Sequence, residues 1–247
     1  MIIGKIMMVQ NSSPVDSVDY LISKKVMLLK SNIKNYTLER FIEELGVSRT
    51  SMVRYMKNIG IQRFSRFKAV MYDECMKAYV DFKRMKEDIK DKQFSAESKE
   101  LAKHLMQSKK VVLLGDGNRY SLILFQKAFT YLGIDTEIPV YLGSEEEVIN
   151  NHKLTKDDLA ILISLHESYE SFLENRASFY LDGNFLEIET KANIGFIGLE
   201  GTYHNEHLLF EYKIEQNTFD RIIKDIVKLM QEAMLVILQQ SNLDILF

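Results

Sequence analysis

The chain has 247 residues, of which 46% are hydrophobic, with 32 Lys and Arg against 35 Asp and Glu. That is ample core for a globular protein of two domains, and the single Cys75 excludes an internal disulfide framework, while no Cys/His cluster has metal-ligand spacing. The small net charge hides a division: residues 1–90 hold 17 basic against 10 acidic residues, net +7, and residues 91–247 hold 15 against 25, net −10.

Such asymmetry is the usual footprint of a nucleic-acid-binding arm joined to a body with other work. The opening MIIGKIMMVQ is apolar, but Gly4 and Lys5 interrupt it and no cleavage site or long apolar run follows. It reads as a tail or packed extension and not as a signal peptide. Ser13-Pro14 then predicts a helix start, with Val15, Val18, Leu21, Ile22 and Met27 as its buried stripe.

The stretch from Thr37 to Lys68 is the most informative. Leu38, Phe41, Ile42 and Leu45 at helical spacing predict a short amphipathic helix with Thr37 near its N-cap and Gly46 as its stop. Ser48 is placed to cap a second helix, with Met52, Val53 and Met56 facing inward, Arg49, Thr50, Ser51, Arg54 and Lys57 on the surface, and Gly60 at the end. Two short helices joined by a Gly-containing turn are how a helix-turn-helix presents its second helix to the major groove of double-stranded DNA. Arg49 and Arg54 offer forked donors to guanine or phosphate, and Thr50 and Ser51 are short enough to let the helix tip approach the backbone. On pattern alone, an ordinary helical hairpin with a solvated Arg face is the alternative.

From Lys68 onward no Gly or Pro interrupts AVMYDECMKAYVDFKRMKEDIK, which predicts a long helix from about Arg66 to Lys90. Its Met71, Cys75, Met76, Tyr79 and Phe82 read as core or subunit contacts, and Asp91 to Ser95 as a short charged linker. A helix near Glu97 to Gln107 precedes the apolar run Lys110 to Leu114, which empties into Gly115-Asp116-Gly117-Asn118. A buried parallel strand followed by a Gly-rich turn at a helix start is the geometry in which backbone N–H groups bind phosphate. Further strands are expected at Glu137 to Leu142, Leu159 to Leu165, Ile194 to Leu199 and Leu208 to Ile214, with a capping box at Ser144 to Glu147. Thr218 to Gln240 closes the chain with two apolar lines, Ile222, Ile226, Leu229, Ala233 and Ile237, and Ile223, Val227, Met230, Met234 and Leu238. One line covers a sheet, and the second asks for a cover that a symmetric partner or a wide core would supply.

ELGVSRTSMVRYMKNIGIQRFSRFK resembles the N-terminal domain of RpiR-type bacterial transcriptional regulators in Gly46-Val47-Ser48, Val53-Arg54-Tyr55, Lys57 through Gly60, and Phe64 through Lys68. The resemblance implies DNA contacts from Ser48, Arg49, Thr50, Ser51, Arg54, Tyr55 and Lys57. Arg63, where the family often has a small residue, is expected to add a phosphate contact. VVLLGDGNRYSLILFQKAFTYLGIDTEI and AILISLHESYES are similar to the two phosphate-holding segments of the SIS (sugar isomerase) domain that follows in that family. By that likeness the ligand-binding residues are Gly115, Gly117, Asn118, Arg119, Ser121, Ser164, His166 and Ser168. Arg119, His166, Glu167 and Tyr169 stand where the family has Ser, Ser, Gly and Thr. Hydroxyl donors are lost and a carboxylate is added, so an altered ligand and a lost ligand are both open, and weak or absent binding of common hexose phosphates is expected.

The expected architecture is an N-terminal all-α helix-turn-helix domain over residues 1–90, then a three-layer α/β SIS-like domain with a mainly parallel sheet over residues 91–247. The expected function is sequence-specific transcriptional regulation, of sugar or related carbon metabolism, by a cytoplasmic homodimer or homotetramer. Its partners are DNA and a possible sugar-phosphate effector, with no cofactor, metal, membrane or catalytic role. A sugar-phosphate isomerase carrying an accessory helical domain, with His166 and Glu167 as its acid–base pair, is the alternative, and a pure assembly module is a third.

Overall fold

The computed structural model describes residues 2–115, 119–138, 154–163, 193–199, 208–214 and 219–247. Its helices are α1 (Ile2–Ser12), α2 (Val18–Leu29), α3 (Leu38–Leu45), α4 (Arg49–Asn58), α5 (Phe64–Asp88), α6 (Ala96–Gln107) and α7 (Arg119–Tyr131). Strands β1 (Val111–Gly115), β2 (Thr136–Glu137), β3 (Leu159–Ile163), β4 (Asn193–Leu199) and β5 (Leu208–Ile214) are followed by α8 (Phe219–Gln240) and α9 (Leu243–Leu246). These form two units, Met1–Asp88 with Asn242–Phe247, and Ile89–Ser241.

The helical unit is bounded by local capping chemistry. Thr37 accepts the Arg40 N–H to open α3, and Gly46, at φ 64°, closes it. The Val47 N–H reaches the Ile42 carbonyl and the Gly46 N–H that of Glu43, both at 3.1 Å, which is the paired end motif that a left-handed Gly permits. α4 ends the same way, with Gly60 at φ 84° and the Ile61 N–H on the Met56 carbonyl at 2.8 Å. α2 departs from expectation: it starts at Val18, capped by Ser17, and not at Ser13-Pro14, because Asp16 turns the chain at φ 70°. Its buried residues are Tyr20, Ile22, Ser23, Val26 and Met27. The first residues are a helix with Ile2, Ile3, Ile6 and Met7 buried.

Phe41 and Phe67 are fully buried and lie either side of Phe64, with ring centroids 5.6 and 6.1 Å apart. Each such pair adds about 0.5–1.5 kcal/mol to the area it buries. Lys68 of the same motif donates to the Lys34 and Tyr36 carbonyls at 3.1 and 2.7 Å, ending the 3-10 turn Lys30–Asn35. Glu44 ties α3 to its neighbours, accepting from Lys25 Nζ at 2.7 Å, Arg40 Nε at 2.9 Å and the Tyr36 hydroxyl at 3.1 Å. Those bonds, with Lys25 first and Arg40 second, hold its carboxyl down at about 2.

Residues 242–247 belong to this unit. The Tyr79 hydroxyl donates to Asp244 at 2.7 Å, and the Phe247 ring packs against Tyr79 and Phe82 with Lys30 Nζ 5.7 Å above it. Burial pulls Lys30 down to about 8 and pushes the Cys75 thiol up to about 12, and Cys75, fully buried, packs in the core of α5.

In the second unit the described strands form one fully parallel sheet in the order β2-β1-β3-β4-β5. β3 is buried at all five positions and Val111–Leu114 likewise, the pattern of parallel strands covered on both faces. Alternate residues Val112, Leu114, Ala160, Leu162, Ile194 and Phe196 make one layer of core. Gly195 pairs with Phe210, and a Cβ there would fall 2.2 Å from the Phe210 ring. The expected linker is held: Ser95 caps α6 and donates to Glu232 at 3.0 Å, Phe94 is buried, and Gln239 of α8 donates to the Ile89 and Lys90 carbonyls at 2.9 Å. α8 buries Ile226, Leu229, Ala233 and Ile237 of one line, but also Met230 and Leu238 of the other. The second apolar line is thus split: Met230 and Leu238 are internal where α8 packs on α6, α7 and β4, and Ile223, Val227 and Met234 are half-buried.

Candidate functional site

α4 carries the residues expected to meet DNA. Ser48 opens it in extended backbone, its Oγ accepting the Ser51 N–H at 3.0 Å and lying 2.9 Å from the Ser51 Oγ. Those two hydroxyls serve the cap, and the N–H groups of Arg49 and Thr50 are what the helix tip offers an anion. Arg49 and Arg54 are exposed but engaged: Arg49 lies 3.7 Å from Glu39, and Arg54 bonds Asp19 of α2 at 3.1 Å. Ion pairs this exposed contribute about 0–1 kcal/mol, so a phosphate or guanine competes for either fork.

Tyr55 corrects the expected list. Its ring is 0% exposed, and the Ser23 hydroxyl, which donates to the Asp19 carbonyl at 2.8 Å, accepts from the Tyr55 hydroxyl at 2.8 Å. Burial pushes the phenol well above its usual range. Tyr55 therefore joins α4 to α2 and presents no exposed surface, and it takes the inward place expected for Val53, which is half-buried. Lys57 and Arg63 are exposed, as is Arg66, which the sequence reading left out. Among the described residues no carboxylate lies within ion-pair distance of these three. Arg63 immediately precedes α5 and Arg66 lies in its first turn, three residues on, a spacing that sets the two on one side of the helix start. The helical unit holds 16 basic against 11 acidic residues, net +5, and the sheet unit is net −8.

In the sheet unit, β1 has β2 on one side and β3 on the other, so the chain reverses its direction of travel across the sheet between β1 and β3. A crevice outside the carboxyl ends of strands at such a point is where open parallel sheets bind ligands. Gly115 and Ile163, the last residues of those strands, are register partners, and the two expected phosphate loops begin immediately after them. Arg119 and Ser121 lie in the first turn of α7. Gly117, Asn118, Ser164, His166, Glu167, Ser168 and Tyr169 lie outside the described residues, as does the Ser144–Glu147 box. Among the described residues no group of three or more His, Cys, Asp or Glu is placed to hold a metal ion, and no helix is long and apolar enough to cross a membrane.

No protein-family model matches the chain, and no curated protein matches it either. Among solved structures it is similar to the Vibrio vulnificus NanR protein complexed with ManNAc-6P, at 10% identity and TM-score 0.37, covering 88% of this chain and 83% of that one. It is similar to a hypothetical protein from Methanococcus jannaschii inferred to be a 3-hexulose-6-phosphate isomerase, at 13% identity and TM-score 0.36, over 66% of this chain and 87% of that one. A third is the C-terminal domain of glucosamine-fructose-6-phosphate aminotransferase from Francisella tularensis, at 10% identity and TM-score 0.38, over 98% of this chain and 83% of that one.

Proposed function

We propose that the chain is a sequence-specific DNA-binding transcriptional regulator of the RpiR type. In this reading α3 and α4 act as a helix-turn-helix, and the sheet unit is a SIS-like sensor for a phosphorylated sugar or related metabolite. The observation that carries it is α4 itself: Arg49, Thr50, Arg54 and Lys57 are exposed while Met52, Tyr55 and Met56 are buried, in a unit of positive charge. The chain is read as a regulator and not an enzyme, with the ends of β1 and β3 serving recognition.

Selection of bound fragments from the source genome with the purified protein tests the reading directly. It should return a motif of two half-sites about 34 Å apart or a multiple of it, as a paired helix-turn-helix requires. Fragments without a shared motif would sink it. Pairing is measured by light scattering, where a monomer at micromolar concentration would contradict it. Met234, half-buried on α8, is the position for an Asp probe of the interface, since Leu238 is 0% exposed and its Asp variant would unfold the monomer. Calorimetry across a panel of hexose phosphates should show weak or no binding, strengthened by Glu167→Gly.

A further inference from the structure

A cleft of about 600 Å³ opens in the helical unit between α1, the end of α4 and the first turns of α5. Lys5, Arg63 and Arg66 line it, over a floor that includes Ile61 and Val70. Glu74 is the carboxylate on its wall, and its two oxygens accept the N–H groups of Ile2 and Ile3 at the start of α1. That negative charge is thereby turned to the α1 tip. Lys5 is held in place, donating to the Ile59 carbonyl at 3.1 Å with donors to spare on its ammonium. Gly60 leaves it room, since a Cβ there would come within 3.1 Å of the Lys5 Nζ on a backbone at φ 84° that other residues resist. The guanidinium groups of Arg63 and Arg66 have no carboxylate partner among the described residues.

We propose that this cleft is a phosphate-binding site, in which Lys5, Arg63 and Arg66 converge on one phosphoryl group. Two planar forks and one ammonium match the oxygens of a phosphate better than those of a single carboxylate. The phosphoryl group comes either from the DNA backbone beside α4 or from a small phosphorylated molecule whose body rests on the apolar floor. The site does not depend on the reading of α4, because the second source requires no duplex.

The test uses the full chain, with Arg66→Gln and Lys5→Gln made separately and their folding checked by circular dichroism. In one arm, inorganic phosphate and pyrophosphate are titrated at matched ionic strength and followed by thermal shift. In the other, affinity for a random-sequence duplex is measured against salt. A backbone phosphate predicts that each substitution lowers the salt slope by about one. A small phosphate predicts a rise in Tm for the unmodified chain that falls several-fold in both variants. Either result supports the site and names its source. Identical behaviour of the unmodified chain and both variants in both arms overturns it, including the case where phosphate stabilises all three equally. Arg49→Ala in the duplex arm separates failure of this site from failure of the α4 reading.

Discussion

In α4, Met52, Tyr55 and Met56 are buried while Arg49, Thr50, Arg54 and Lys57 are exposed, whereas in β3 all five residues from Leu159 to Ile163 are buried. A surface helix divides its circumference, so one ten-residue element holds the core and displays chemistry at once. A central parallel strand has both faces covered and no side chain to spare. Its chemistry is confined to where the strand stops, at Gly115 and Ile163. The helical unit therefore displays charged side chains on regular structure, whereas in the sheet unit the strand ends are where exposed groups can be placed.

The sharpest test of this contrast removes one ring from each core. Phe67→Ala and Phe196→Ala, both at fully buried positions, should each cost about 3–5 kcal/mol in urea unfolding. As denaturant is added, duplex binding should be lost earlier for Phe67→Ala, with its helical unit, and not for Phe196→Ala, if α4 acts as proposed. Equal loss in both would break the assignment of DNA recognition to the helical unit alone. Next in size, if α4 acts as proposed, Arg49→Ala and Arg54→Ala should each weaken operator binding by about 1–3 kcal/mol, because each removes one fork from its exposed face. Their urea midpoints should scarcely move, since the ion pairs lost are exposed.

Tyr55→Phe separates the two faces of α4. It removes the donor to Ser23 and should cost about 0.5–1.5 kcal/mol of stability with operator affinity unchanged. Weaker binding at full stability would return Tyr55 to the DNA face. The smallest effect is at Glu44. Its folded pKa is about 2, below the unfolded value of about 4.3, so as pH falls the unfolded chain takes up the proton first. The stability it contributes is intact above about pH 4.3 and is lost as pH falls to about 2. Glu44→Gln should flatten that part of the acid limb in a urea-midpoint series. An unchanged limb would mean that the three-donor network at α3 does not hold its carboxylate in solution.

The sequence by itself determined the short-range features. Thr37, Gly46, Ser48 and Gly60 mark the ends of α3 and α4 because capping and left-handed turns act within about six residues of chain. The apolar runs Lys110 to Leu114, Leu159 to Leu165 and Ile194 to Leu199 read as strands from composition alone, because a parallel strand covered on both faces must be apolar on both. Only the tertiary structure decided which partners meet. Helical spacing placed Val53 on the inner face of α4, but Tyr55 takes that place, because Ser23, 32 residues away, offers its hydroxyl a buried acceptor. Asp19 claims the fork of Arg54 across 35 residues, and Lys5 reaches the end of α4 across 54. The last six residues join the helical unit through Tyr79, Phe82 and Lys30, in a hydrogen bond that spans 165 residues from Tyr79 to Asp244. No local pattern encodes such pairs, because each depends on two surfaces that are complementary only once both have folded.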